Sequence, residues 1–126
     1  MTVTDQPWPD VLTGAVSSVL AQPGGDSLVV DTLARIPQTR WVEIKTGWFS
    51  KVSALQLGDR RFRTSGDGRL HVQHVVNDVA VSTAVLAPAE AGRVVTSAAR
   101  AHAAAFGSAV EAEIAAVAEG LAALAA

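Results

Sequence analysis

The spacing of apolar residues changes twice along the chain. Before residue 37 apolar residues recur every three or four positions, which is typical of helices. From residue 39 to 86 they alternate with polar residues, as in strands that bury one face. After residue 88 the helical spacing returns. The pattern therefore predicts helices, then a sheet, then helices.

Two short helices are predicted before the sheet. The segment 9–21 carries its apolar residues on one face, begins at a proline and ends at Pro23-Gly24-Gly25. The segment 27–36 is ambiguous, because its apolar spacing fits a helix while Leu28-Val29-Val30 favours a strand. We predict a helix there. Residues 1–7 are expected to be loose.

An antiparallel meander of four to five strands is predicted over about 40–86. Turn-forming residues at 58–59, 65–68 and 77–78 separate the alternating runs. These connections are too short for the crossovers that parallel strands need. The alternation places Val42 and Ile44 toward the core and Trp41 on the polar face. In the last strand, an inward face that covers the C-terminal helix is expected from Val79, Val81, Thr83 and Val85.

The C-terminal segment, about 88–126, is predicted to be helical. Fifteen of the 29 residues from Ala98 to Ala126 are alanine, which has the highest helix propensity. Gly107 followed by Ser108 predicts a break, and Ser108 and Glu111 have the spacing of a capping box. A single continuous helix is the alternative. Helices packed on an antiparallel sheet make the predicted fold α+β, with residues 1–126 in a single domain.

Composition narrows the function classes. The chain has 126 residues, no cysteine and a formal net charge of −2. Disulfides, thiolate metal sites and cysteine nucleophiles are therefore excluded, and the bulk charge does not indicate nucleic-acid binding. The first ten residues lack the features of a signal peptide, and no apolar run is long enough to span a membrane. We expect a cytoplasmic protein without a membrane span.

No pattern of residues predicts catalysis, a metal site or a cofactor. His71, His74 and Asp78 are the nearest approach to a metal site, but positions 71 and 74 of one strand point to opposite faces. Asp78 is better explained as a turn former after Asn77. The chain has no nucleophile elbow and no paired carboxylates at a useful spacing.

His102 lies on the apolar face of the C-terminal helix, one turn from Phe106. The favoured interpretation is a core histidine bonded to a backbone carbonyl. The alternative is a small carrier or enzyme with an apolar pocket between sheet and helices. Its wall would be formed by Trp41, His74, His102 and Phe106.

One basic cluster flanks a predicted hairpin and consists of Arg60, Arg61, Arg63 and Arg69. Charges on an exposed hairpin edge commonly prevent aggregation, and this is the favoured interpretation. Nucleic-acid contact through these arginines is a weaker alternative, because no aromatic platform for base stacking is evident.

A second apolar seam runs along the end of the C-terminal helix. Its residues recur at spacings of four and three, as in a helix–helix interface: Val110, Ile114, Val117, Leu121 and Leu124. Two heptads are too few for an isolated coiled coil, so the seam must pack on another surface. The sequence therefore predicts a non-catalytic binding or interaction module, homodimeric through the C-terminal helices or a sheet face.

Overall fold

The computed structural model describes residues 7–45, 47–64 and 68–126. Two helices, five strands and two helices follow one another, so the predicted α+β fold is confirmed. The expectation for the first seven residues falls almost wholly outside the described part. The elements are α1 Trp8–Leu20, α2 Gly25–Leu33, β1 Arg40–Lys45, β2 Lys51–Leu57, β3 Arg60–Thr64, β4 Leu70–Val76, β5 Val79–Leu86, α3 Pro88–Phe106 and α4 Ser108–Ala125.

The ambiguous segment after the first helix is helical over Gly25–Leu33, as predicted. Its apolar residues Val29, Val30 and Leu33 are buried on one face. Helical spacing thus outweighs the β-branched composition, because only a helix places these three side chains on one side of the segment.

The sheet is an antiparallel meander in the order β1-β2-β3-β4-β5. One row of paired residues crosses four of its strands: Trp41, Leu55, Phe62 and Val72. The turn between β4 and β5 consists of Asn77 and Asp78, whose φ angles are 51° and 65°. Two positive φ angles are typical of a type I′ hairpin turn, which matches the twist of the flanking strands.

The core lies between the helices and the central strands. Leu55, Phe62 and Val72 project from β2, β3 and β4 into the same apolar cluster as the helices. α1 packs against both α3 and α4. The helical layer therefore covers the middle of one sheet face, which we call the covered face. No helix of the described residues packs on the other face, which we call the free face.

The predicted inward face of β5 is wrong. Every β5 residue from Val79 to Val85 is exposed, and only Leu86 is buried. Val85 pairs with His71 and Thr83 with Gln73, so both lie on the free face, whereas Leu86 pairs with Leu70 and reaches the core. Alternating valines show that a strand has two faces but do not show whether a helix reaches it.

The predicted orientation of β1 is also wrong. Trp41 pairs with Leu55 and therefore lies on the covered face, whereas Val42 and Ile44 lie half-buried on the free face. Trp41 nevertheless remains 52% exposed, because β1 is the other edge of the sheet.

The break in the C-terminal segment is confirmed. α3 ends at Phe106, α4 begins at Ser108, and Gly107 between them has a φ of 97°. The capping box is wrong, since Gly107 is the N-cap and no side chain caps the helix. Glu111 instead accepts a hydrogen bond at Oε2 from Nε1 of Trp8, over 3.0 Å.

Candidate functional site

The apolar seam of α4, which the sequence assigns to a dimer interface, packs largely against its own chain. Val110, Ile114, Val117 and Leu121 are all buried in the core that α4 shares with α1. Leu124 alone of the five is exposed, at 43%. The four buried side chains offer no surface to a second copy, so a dimer would have to use another face.

His102 is a core histidine that joins three parts of the chain. Its side chain is 1% exposed, and its Nδ1 accepts a hydrogen bond from the backbone N–H of Gly58 over 3.3 Å. Its Nε2 lies 2.8 Å from the carbonyl oxygen of Pro37. Since a carbonyl only accepts, Nε2 carries the proton and the ring is fully bonded. The histidine therefore connects α3 to the β2–β3 turn and to the segment after α2.

The four residues proposed for an apolar pocket do not meet. The ring of Phe106 lies tilted against the ring of His102, with centroids 4.7 Å apart, and both residues border an open groove of about 510 Å³. Trp41 and His74 lie on β1 and β4, three strands apart. His74 faces the carboxylate of Asp59 at 3.4 Å. The structure thus brings only two of the four together.

The strand alternation separates the four arginines. Arg60 lies on the covered face beside Asp59, with the charged atoms 2.9 Å apart. Arg61 and Arg63 lie on the free face, and Nε of Arg61 donates to Oε1 of Gln56 over 3.1 Å. Arg69 immediately precedes β4. The four do not form one basic strip, as nucleic-acid contact would require.

The sheet curls around its free face. Arg40, at the start of β1, reaches Asp78 in the β4–β5 turn, with Nη2 and Oδ1 3.3 Å apart. A groove of about 580 Å³ is lined by residues from both edge strands, including Ile44 of β1 and Val85 of β5. The free face is therefore concave, and the first strand approaches the last hairpin.

This groove is positively charged. Lys45, Arg61 and Arg63 line it, and none of its lining residues is a carboxylate. Gln73 also lines it, and the Oε1 atom of Gln73 is buried without a hydrogen-bond partner among the described residues. Several cations that face one concave surface attract anionic groups.

The two ends of the sheet differ in charge. At the end with the β2–β3 and β4–β5 turns, Asp59 and Asp78 are each paired with an arginine. The opposite end carries the β1–β2 connection, and around it lie Lys45, Lys51, Arg63 and Arg69. We call this the loop end. Among the described residues, the four cations of the loop end therefore outnumber its two carboxylates, Glu43 and Glu90.

Trp48 and Phe49 occupy the β1–β2 connection at the loop end. They are 96% and 98% exposed. Neither residue was predicted to be functional, although Gly47-Trp48-Phe49-Ser50 places two aromatic residues where turn residues are expected. This departure from ordinary turn composition could have identified the pair from the sequence.

The two edges of the sheet also differ. β1 carries Arg40, Glu43 and Lys45, whereas β5 contains no charged residue and no proline over its eight residues. Val79, Val81 and Val85 of β5 are 61%, 56% and 47% exposed. Proteins usually protect edge strands with charges, prolines or a covering element. Among the described residues β5 has none of these three devices, and its one irregularity is a register shift opposite His74 and Val75.

Within the described ranges, no group of three or more metal-ligating side chains is close enough to hold a metal ion. In the same part of the chain, no helix is both long and apolar enough to cross a membrane.

These features define a small α+β protein with an uncharged sheet edge, a positively charged groove and an exposed aromatic loop. The chain belongs to the family described as a domain of unknown function, DUF5073, whose family model matches residues 4–123. Comparisons with curated proteins and with solved structures found no match.

Proposed function

We propose that this protein is a non-catalytic interaction module that forms a homodimer by antiparallel pairing of its β5 strands. The main observation behind the proposal is the β5 edge, which is uncharged and exposed from Val79 to Val85. Within the described sheet, β5 pairs only with β4, so its outer side offers backbone donors and acceptors to another strand.

A second copy of the chain suits this edge better than an unrelated strand does. A twofold axis brings the same strand against itself, and β5 has no charge that would be repelled by its own copy. At the other edge, self-pairing would bring the charges of β1 close to one another. Pairing through β5 would join two five-stranded sheets into one of ten strands and would cover Val79 and Val81.

The test is the mass of the protein in solution, measured by size exclusion with light scattering. The wild type should be a dimer, and Val79→Lys/Val81→Lys should be a monomer, because lysines on an edge strand oppose strand addition. Both valines lie outside the groove of the free face, so that groove should stay intact. Circular dichroism should show that the variant keeps its fold.

Leu124→Lys is the matched control, since it places a lysine on the exposed residue of the C-terminal seam. It should remain a dimer. If Leu124→Lys were a monomer and the β5 variant a dimer, the interface would lie on the C-terminal helices and not on β5. A monomeric wild type at tens of micromolar would overturn the homodimer.

A further inference from the structure

The β1–β2 connection exposes two neighbouring aromatic side chains almost completely. Trp48 is 96% and Phe49 98% exposed, whereas Trp8 and Phe62 are 3% and 0% exposed. Burying aromatic surface is favourable, and exposed apolar clusters mark contact sites. The pair lies at the tip of a hairpin, where it projects from the sheet rather than lining a cavity.

Positive charge surrounds this tip. Lys45 ends β1 and Lys51 begins β2, so a lysine stands at each side of the connection. Glu43 approaches Lys51 at 3.6 Å, but both side chains are more than 60% exposed, at 68% and 61%. The Glu43 carboxylate offsets the charge of Lys51, so the attraction of this end for anions depends on Lys45 and Arg63. A further carboxylate, exposed Glu90, lies in the first turn of α3, which begins two residues after β5 ends.

We propose that the loop end docks on an anionic lipid surface, with Trp48 and Phe49 entering the headgroup region and the surrounding cations meeting lipid phosphates. Tryptophan is enriched at membrane interfaces, and lysine can bury its methylenes while its ammonium remains among headgroups. Basic residues that lie next to a membrane surface are attracted to its anionic lipids. The contact is peripheral and involves only the loop end.

A lipid surface fits this arrangement better than a folded protein partner. A projecting pair of aromatics needs a matching cavity in a protein, whereas a bilayer interface accepts it without one. Lys45 belongs both to the loop end and to the groove that Arg61 and Arg63 line. The groove thus adjoins the tip and offers two guanidinium groups to a headgroup phosphate.

The experiment is co-sedimentation of the full chain with lipid vesicles. Vesicles of phosphatidylcholine and phosphatidylglycerol should bind the protein and shift tryptophan emission to shorter wavelength. Pure phosphatidylcholine vesicles should bind it at least about tenfold more weakly, since neutral lipid lacks the attraction to the cations. Added salt should weaken the binding.

Two pairs of matched variants test the residues. Trp48→Ser/Phe49→Ser should lose at least about tenfold in vesicle binding, whereas Trp41→Ser, which removes a half-exposed tryptophan of the same hairpin, should keep it. Lys45→Gln/Arg63→Gln should bind the anionic vesicles more weakly. Arg93→Gln/Arg100→Gln removes two exposed charges from α3 and should bind as the wild type does.

Three results would overturn the proposal. One is equal binding to neutral and anionic vesicles or binding to neither. Another is a loss of vesicle binding in Trp41→Ser that is as large as the loss in Trp48→Ser/Phe49→Ser. The third is binding of soluble glycerol phosphate, measured by calorimetry, without any binding of anionic vesicles, which would assign the cations to a free phosphate ligand.

Discussion

The backbone N–H of Gly58 donates a hydrogen bond to Nδ1 of His102 over 3.3 Å. Gly58 has a φ of 58°, and a Cβ atom on it would lie 2.4 Å from the carbonyl oxygen of Ala98. The β2–β3 turn therefore touches the backbone of α3 directly. This contact fixes the sheet against the helical layer, and it requires glycine for both its conformation and its closeness.

Gly58→Ala should destabilise the fold. The positive φ and the clash with the backbone of α3 together should lower the free energy of unfolding by about 2–4 kcal/mol. Gly14→Ala is the control, because Gly14 lies in a helix with no atom near its added Cβ; it should stabilise by about 0.5–1 kcal/mol. Urea unfolding checks both, and equal effects would argue against the close approach.

Leu121→Glu should unfold or strongly destabilise the subunit. Leu121 is fully buried in its own core, so the substitution removes apolar packing and buries a carboxylate, at a cost above about 3 kcal/mol. Leu124→Glu, at the exposed end of the same seam, should change stability by less than about 1 kcal/mol. If the Leu121→Glu variant were instead well folded and monomeric, Leu121 would belong to a dimer interface.

Ser108→Ala should have little effect. Ser108 is the first residue of α4 and makes no capping hydrogen bond with its side chain. Thermal or chemical unfolding should show a change within about 0.5 kcal/mol. A loss near 1 kcal/mol, the usual value for an N-cap, would indicate that the serine caps the helix in solution.

Glu111→Ala should be costly by comparison. Its carboxylate accepts the hydrogen bond from the buried Trp8, and that bond ties α4 to the start of α1. Losing a hydrogen bond to a charged group costs about 1.5–3 kcal/mol. Glu113→Ala removes an exposed carboxylate two residues away and should be nearly neutral. Similar losses in both would show that the hydrogen bond contributes little.

The sequence predicts the elements well because their signals are local. Helical spacing correctly predicted α2, and Gly107 correctly predicted the break between α3 and α4. The hydrogen bonds of His102 matched the favoured interpretation of a core histidine.

The faces were harder to predict, because they depend on where the helical layer ends. Val79 and Val81 look like core residues, but they lie exposed at the far end of the edge strand β5, and only Leu86 of that strand reaches the core. The seam around Leu121 has the spacing of an interface, yet α1 of the same chain already covers it. Alternation and spacing identify apolar surfaces, whereas tertiary packing decides what covers each of them.

The most direct test of β5 pairing is disulfide cross-linking of single-cysteine variants. The chain has no cysteine, so each cysteine introduced from Val79 to Val85 can pair only with its copy. Strand pairing about a twofold axis brings one or two neighbouring positions to the Cα separation of about 4.4–6.8 Å that a disulfide needs. If β5 pairs with its copy, cross-linking should be rapid at those positions and absent for Leu124→Cys. Cross-linking of Leu124→Cys, with none anywhere from Val79 to Val85, would contradict it.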